Sequence, residues 1–313
     1  IDYYLLNKKK EIKEKAFKGC NQLKKFAIPT SIKTIRDYSF IDCTSLTEIY
    51  IPTSVTSIEQ YAFYGCSSLT EIYIPTSVTS IKQYTFYGCS SLKEIYIPTS
   101  VTLIEQYAFY EYSSLKEIYI PTSVTSIEQC AFYGCSSLTE ISIPKSVTLI
   151  APHSFRECSS LQKVNIPPTL TLIGSYAFDR CNKLENISIP ASVKTIGDCA
   201  FYECTSLSNV SLSSSLETIK SRAFYGCSLL TQINIPISVS RICKGLMKLC
   251  ISISNIKIPS SIRTVESYSF SKCSSLTQIT IPSSVMKIED GAFSECSSLT
   301  QITIPSSVTS IGN

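Results

Sequence analysis

The stretch that decides the fold is Leu69-Thr-Glu-Ile-Tyr-Ile-Pro-Thr-Ser-Val-Thr-Ser-Ile-Lys-Gln-Tyr-Thr-Phe-Tyr-Gly-Cys-Ser-Ser91. It is one copy of a 23-residue unit that recurs along nearly all of the 313-residue chain. Twelve of the 14 prolines, twelve of the 13 phenylalanines and twelve of the 15 cysteines follow this spacing. A period of about 20–50 residues is typical of arrays in which each unit packs on its neighbours. The sequence therefore predicts a stack of similar turns.

Each part of the unit has its own local preference. Residues 69–74 alternate apolar and polar side chains and include β-branched residues, which predicts a half-buried strand. Pro75 ends that strand because it has no N–H to donate to a ladder. Val78 and Ile81 are predicted to point inward from a second short segment, extended or turn-like. The chain then turns at Phe86, with at most a single 3₁₀-like turn.

The pattern I-P-x-S-V-T-x-I-x-x-x-A-F-x-x-C-S-S-L-x-x-I-x-I resembles the BspA-like, Treponema-type leucine-rich repeats, which also have 23-residue units. The resemblance covers residues 12–313. It implies a β-rich leucine-rich-repeat solenoid, a curved right-handed array of about 13 repeats. The parallel sheet is expected on the concave face, with short turns or 3₁₀ segments on the convex side. The resemblance also implies a surface or secreted protein that adheres to host proteins or other cells.

The repeat grid predicts one continuous solenoid over residues 23–313, preceded by a partial N-terminal capping repeat over residues 1–22, and no separate second domain. Repeat 236–258 departs most from the pattern, which predicts a local kink or loosened packing. The chain ends in mid-repeat without a polar cap, so we expect either a longer native chain or self-association through this end. No apolar run is long enough to span a membrane.

The twelve grid cysteines form a column of in-register residues. Their Cβ atoms are expected about 4.8 Å apart, wider than the usual window of about 3.5–4.5 Å for a disulfide, so a reduced core column is predicted. Cys130, Cys199 and Cys243 lie outside this column. A local bridge, Cys130–Cys135 or Cys199–Cys204, is an alternative for two of them. With no C-x-x-C pair and one histidine, neither zinc nor another cofactor is expected.

Catalysis and nucleic-acid binding find little support in the sequence. His153 takes a position that sister repeats give to tyrosine, so it is interpreted as an outward-facing substitution. There is no phosphate loop or nucleophile elbow, and the carboxylates recur as a ladder rather than as one distinct pair. The net charge of +4 arises in the lysine-rich residues 1–25, whereas nucleic-acid binding requires a basic stripe along the array. A non-enzymatic protein is predicted.

The third and fifth residues of each L-x-x-I-x-I strand are predicted to form exposed columns. Four repeats place glutamate and tyrosine there, and later repeats place amides and hydroxyls. Tyrosine is favoured in recognition surfaces, and the glutamates favour a basic protein partner. The alternative is that the tyrosines support one another across strands. The candidate partner-binding residues are Tyr50, Tyr73, Tyr96, Tyr119, Glu48, Glu71, Glu94 and Glu117.

Two sequons, Asn186-Ile-Ser188 and Asn209-Val-Ser211, make Asn186 and Asn209 possible glycosylation sites in a secretory pathway. The predicted function is protein recognition through the concave face, in a surface or secreted, adhesin-like protein that binds host or cell-surface proteins. The first alternative is an intracellular, cytoplasmic interaction scaffold that uses the same face. The second is a structural spacer without a partner.

Overall fold

The computed structural model describes residues 9–313, so the first eight residues of the predicted cap, 1–22, lie outside the described residues. The chain divides into two compact units, Ile1–Val147 and Thr148–Asn313. Each unit is a parallel β-solenoid whose paired strands join residues 23 apart in sequence. The predicted fold class is confirmed. Residues 9–313 contain no α- or 3₁₀-helix, so turns, and not the alternative 3₁₀ segments, connect the strands.

In unit 1, one side of each turn carries the L-x-x-I-x-I strand and a second side carries a two-residue strand after the proline. Strands β2, β4 and β6 form a sheet on the first side, and β1–β3–β5 and β7–β8–β9 form sheets on the second. Beyond β6 the first side is held by single bridges from Tyr73 to Tyr96 and from Tyr96 to Tyr119. The strands of unit 1 are β1 (Glu11–Ile12), β2 (Lys25–Ala27), β3 (Thr34–Ile35), β4 (Glu48–Tyr50), β5 (Ser57–Ile58), β6 (Glu71–Ile72), β7 (Ser80–Ile81), β8 (Leu103–Ile104), β9 (Ser126–Ile127) and β10 (Glu140–Ser142).

Unit 2 repeats the same plan. Its first side includes the sheets β14–β16 and β18–β20–β22, and its second side has β11–β13–β15–β17 and β19–β21–β23. The strands of unit 2 are β11 (Leu149–Ile150), β12 (Lys163–Asn165), β13 (Leu172–Ile173), β14 (Asn186–Ser188), β15 (Thr195–Ile196), β16 (Asn209–Ser211), β17 (Thr218–Ile219), β18 (Asn255–Lys257), β19 (Thr264–Val265), β20 (Gln278–Thr280), β21 (Lys287–Ile288), β22 (Gln301–Thr303) and β23 (Ser310–Ile311).

The irregular repeat 236–258 loosens the ladders but not the core. Residues 231–235, just before it, form no strand, and Ile242 makes only a single bridge to Val265. Met247 and Ile253 nevertheless have no exposed surface. The loosened packing predicted for this repeat is therefore confined to backbone pairing, because the substituted core residues still fill the interior.

The third side of each turn, here called the turn wall, is the segment around the grid phenylalanine. Tyr38, Phe40 and Asp42 donate their N–H groups to carbonyls of the next repeat at 3.2, 2.9 and 2.8 Å. The amides between them bond within their own turn. Tyr38 and Asp42 have left-handed backbones with φ of 58° and 57°, which breaks any helical run. Gly65 and Gly88, the equivalents of Asp42, adopt the same region at the low steric cost expected of glycine.

The core of each unit contains a column of stacked phenylalanines. In unit 1 the centroid distances between neighbouring rings run from 4.9 Å, for Phe17–Phe40, to 6.0 Å, for Phe63–Phe86. These rings are parallel within 15° and almost fully buried. Offset stacking at such distances contributes beyond the area that each ring buries. The predicted phenylalanine column is therefore the inner side of the turn wall.

The column cysteines are free thiols, and so are the three cysteines outside the column. The local bridges considered for Cys130 and Cys199 are not present. Column thiols donate to the carbonyl of the phenylalanine 26 residues earlier, as Cys66 does to Phe40 at 3.2 Å. Burial raises the pKa of another column thiol, that of Cys43, to about 11, which keeps the Cys43 thiol protonated. The column is therefore a set of hydrogen-bond donors as well as small core side chains, which the sequence did not reveal.

Candidate partner-binding face

The predicted tyrosines lie in register on the strand side of unit 1. Single bridges align Tyr73 with Tyr96 and Tyr96 with Tyr119. Tyr50 lies on the neighbouring strand β4, whose Glu48 pairs with Glu71 of β6. The exposed fractions of Tyr50, Tyr73, Tyr96 and Tyr119 are 62%, 56%, 52% and 66%. We call the surface formed by Tyr50, Tyr73, Tyr96, Tyr119, Glu48, Glu71, Glu94 and Glu117 the tyrosine–glutamate face.

These four tyrosines barely support one another. Within residues 9–313, the only ring contact that they make joins Tyr73 and Tyr96, whose centroids lie 6.4 Å apart. That distance is near the long end of the roughly 4.5–7 Å range of aromatic pairs. Tyr50 and Tyr119 make no ring contact in the part of the chain that the structure describes. The geometry therefore gives little support to the alternative that this column exists to brace the strands.

The glutamates of the face are unevenly neutralised. Glu48 forms an ion pair with Lys25 at 2.6 Å, and both side chains are exposed. Glu71, Glu94 and Glu117 form no ion pair within residues 9–313, and they follow each other at one-repeat spacing. Like charges opposite each other on neighbouring strands are destabilising, by roughly 1 kcal/mol or less in water. The face thus carries negative charge that described side chains do not cancel by ion pairing.

A shallow hollow of about 640 Å³ runs along this face. Its walls include Lys93, Glu94, Tyr96 and Glu117, and its floor includes Ile72 and Ile95, which are 7% and 6% exposed. The hollow lies where single bridges replace the continuous ladder. Such a surface combines an apolar floor with aromatic rings and carboxylates. These features suit the binding of an extended basic segment of a protein.

The strand side of unit 2 is chemically different. Asn209 Nδ2 donates to Asn186 Oδ1 at 2.9 Å, and both sequon asparagines are exposed. Amides continue in register from Asn255 to Gln278 and from Gln278 to Gln301. A hollow of about 720 Å³ opens around residues 231–235, lined by amides and hydroxyls with Lys257 as its one charged residue. This surface is polar but nearly neutral.

Sequence reasoning missed a second set of eight tyrosines in unit 1, on its turn wall. They form two stacked columns, with centroid distances of 4.6–4.8 Å in the first and 4.4–5.5 Å in the second. All are half-buried, and burial raises the pKa of Tyr84 to about 12. The signal was the recurrence of tyrosine two residues before and one after the grid phenylalanine. The turn-wall tyrosines are Tyr38, Tyr61, Tyr84, Tyr107, Tyr64, Tyr87, Tyr110 and Tyr133.

His153 occupies the first of these columns in unit 2. It is half-buried and stacks on Tyr176 with centroids 4.8 Å apart. Burial lowers the pKa of its imidazole. The side chain is therefore packed within the stacked turn wall, whereas the sequence predicted only an outward-facing substitution. Across residues 9–313, no three His, Cys, Asp or Glu side chains form a group able to hold a metal ion, and no helix could cross a bilayer.

The sequence matches the family described as BspA type Leucine rich repeat region (6 copies), over residues 10–139, 125–251 and 240–313. No curated protein is significantly similar to the chain. Among solved structures, a leucine-rich repeat protein from Bacteroides ovatus is 29% identical, with 97% of this chain and 87% of that chain covered and a TM-score of 0.79. One from Eubacterium ventriosum is 25% identical, covering 96% and 78%, with a TM-score of 0.55. The pneumococcal vaccine antigen PcpA, at 21% identity, 96% and 85% coverage and a TM-score of 0.56, is similar in fold.

Proposed function

Because the chain belongs to the BspA-type leucine-rich repeat family, we propose that it is a non-enzymatic recognition protein whose tyrosine–glutamate face binds a basic region of a partner protein. Repeat arrays commonly use one extended surface for binding. The observation that supports this assignment most is the row of four in-register tyrosines, each 52–66% exposed, beside three glutamates that form no ion pair within residues 9–313.

The residues of this face can contribute more free energy to binding a partner than to folding. An exposed ring contributes little to stability, whereas a tyrosine buried in an interface supplies a large rigid contact at small entropy cost. The unpaired carboxylates repel one another in the free protein and gain attraction only when a cation approaches. Binding should therefore be fastest at low salt and weaken as ionic strength rises, because exposed charges are screened.

We place this activity at the cell surface or outside the cell, in an adhesin-like role toward host or cell-surface proteins. The family resemblance supports that location, and Asn186 and Asn209 are exposed and could carry glycans in a secretory pathway. Protease treatment of intact cells should then degrade the protein, and mass analysis of native material would detect any glycan. Full protection of a chain that lysis exposes would favour the intracellular scaffold instead.

The test of the binding face is a screen of immobilised protein against matrix and cell-surface proteins, followed by affinity measurements on two variants. The first variant replaces Tyr50, Tyr73, Tyr96 and Tyr119 by Ser. We expect at least about a thirtyfold loss of affinity, the scale of one hot-spot residue. The matched control replaces the equivalent exposed residues of unit 2, Ser188, Ser211, Thr280 and Thr303, by Ala and should bind normally. Equal binding by both variants would contradict the proposal.

A further inference from the structure

The tyrosine column of unit 1 stops at Tyr119, because Ser142 takes the next position one repeat later. A hollow of about 500 Å³ lies at this end of the column, between residues 117–122 on one side and 139–144 on the other. Tyr119 is the most exposed of the four tyrosines, at 66%, and its ring touches no other ring within residues 9–313. One wall of the hollow is therefore an aromatic side chain that no other ring stacks against.

The floor of this hollow is apolar and open to solvent. Ile118 is partly exposed, whereas its equivalents Ile95 and Ile141 in the adjacent repeats are 6% and 1% exposed. The short Ser142 side chain leaves the floor uncovered, and the backbone of residues 116–118 takes part in no strand. No other repeat of unit 1 described by the structure opens this column position in the same way.

The hollow contains one carboxylate that has no ion pair among the described residues. Glu117 lies beside Tyr119, is exposed, and forms no ion pair within residues 9–313. Glu140 lies on the opposite rim. An apolar floor, an uncovered aromatic face and a carboxylate together match a side chain that is long, partly apolar and cationic at its tip.

Resting on the proposed function, we infer that this hollow is a subsite for one arginine side chain of the protein partner. The planar guanidinium would lie over the Tyr119 ring and donate to the Glu117 carboxylate, and its aliphatic stem would cover Ile118. Lysine fits less well, since its ammonium group is compact, strongly hydrated and unable to stack or form a forked pair. A purely apolar side chain would leave the negative charge of Glu117 without a compensating positive charge.

The first experiment titrates the full chain, labelled with ¹³C in its tyrosine rings, with small probes. The probes are the N-acetyl amides of arginine, citrulline, lysine and leucine; citrulline is the neutral near-isostere of arginine. We expect a saturable shift of the Tyr119 signal with the arginine probe and at least about tenfold weaker binding of citrulline, one charge-assisted pair being lost. Equal binding of citrulline or leucine, or no saturable shift at Tyr119, would overturn the inference.

Two variants connect the hollow to the partner. Ser142→Tyr continues the tyrosine column and fills the hollow, so it should abolish the arginine response while keeping all four tyrosines. Thr280→Tyr adds a tyrosine to the same column position in unit 2 and should change nothing. Glu117→Gln should weaken the arginine probe about tenfold and leave the citrulline probe unaffected.

The outcomes separate this inference from the proposed function. If Ser142→Tyr keeps full affinity for the partner while the fourfold Tyr→Ser variant loses it, the face is the binding surface and the arginine subsite is wrong. If both variants lose the partner and Thr280→Tyr keeps it, both proposals stand. If neither variant changes partner binding, the proposed function fails, and the probe titration still decides whether the hollow binds arginine.

Discussion

Unit 1 presents two sets of tyrosines in the same repeats, and their surroundings differ sharply. The turn-wall rings are half-buried and lie 4.4–5.5 Å from their column neighbours. The rings of the tyrosine–glutamate face are 52–66% exposed, and only one pair approaches, at 6.4 Å. Residue type and repeat spacing are the same in both sets. Exposure and ring contact, rather than the repetition of tyrosine, therefore separate the structural column from the column that we propose binds a partner.

The turn-wall tyrosines also have a backbone reason to stack. Tyr61, Tyr84 and Tyr107 adopt left-handed backbones with φ of 58°, 53° and 59°, which costs roughly 1–2 kcal/mol per residue. Each aromatic pair contributes about 0.5–1.5 kcal/mol beyond burial, and an interior wall ring has a neighbour on both sides. The stack therefore offsets the strain of the turn, a role that the exposed face tyrosines cannot have.

The largest expected effect comes from removing one wall ring. Tyr84→Ala should lower the free energy of unfolding by about 2–3 kcal/mol, because the ring contacts both column neighbours. Alanine pays a comparable free-energy cost in the left-handed backbone conformation, so the change in stability measures the contribution of the ring. Tyr96→Ala is the matched control on the face and should cost about 0.5 kcal/mol or less. Urea unfolding would measure both, and similar losses would erase the distinction between the two sets.

Tyr112 is a third kind of tyrosine and sharpens the comparison. It replaces a column cysteine, is fully buried, and its hydroxyl has no hydrogen-bond partner in the described structure. Tyr112→Phe should therefore raise the free energy of unfolding by about 1 kcal/mol, since it removes an unsatisfied buried polar group at nearly constant shape. The control is Tyr73→Phe, which should be neutral. A loss of stability in Tyr112→Phe would indicate that the hydroxyl makes a favourable contact in the folded protein.

A smaller effect is expected at alkaline pH. Burial raises the pKa of Tyr84 to about 12, above the ordinary value of 10.0. Above pH 10 the unfolded chain loses this proton first, so stability should fall as the pH rises from 10 to 12. The contribution should stay below about 1 kcal/mol because the ring is only half-buried. Tyr84→Phe should flatten this part of the pH dependence of the melting temperature, and an unchanged slope would contradict this prediction.

The smallest effect tests the glutamates. Glu94→Gln should raise stability by a few tenths of a kcal/mol at low salt, because it relieves repulsion along the face. Glu48→Gln should not, because it breaks the ion pair with Lys25. The difference between the two melting temperatures should vanish in high salt. A destabilised Glu94→Gln variant would show that this carboxylate has a favourable role in the free protein.

The sequence predicted the features that depend only on period and polarity. These include the 23-residue register, the phenylalanine and cysteine columns and the exposure of Tyr50 to Tyr119. It did not predict the turn-wall stacks or the thiol hydrogen bonds, because both depend on the backbone path of the turn. In that turn the amides alternate between hydrogen bonds within their own repeat and hydrogen bonds to the next repeat. The uncovered Ile118 was missed for a related reason. Its residue type matches its buried equivalents, so the repeat pattern does not distinguish it from them.

We propose that the face tyrosines serve recognition, whereas the wall tyrosines serve stability. Urea midpoints of two fourfold variants test it most directly, without assuming two-state unfolding of a repeat array. One variant replaces Tyr50, Tyr73, Tyr96 and Tyr119 by Ser, and the other replaces Tyr38, Tyr61, Tyr84 and Tyr107 by Ser. We predict a midpoint near wild type for the first and a large decrease for the second. A first variant that is as destabilised as the second would contradict the claim.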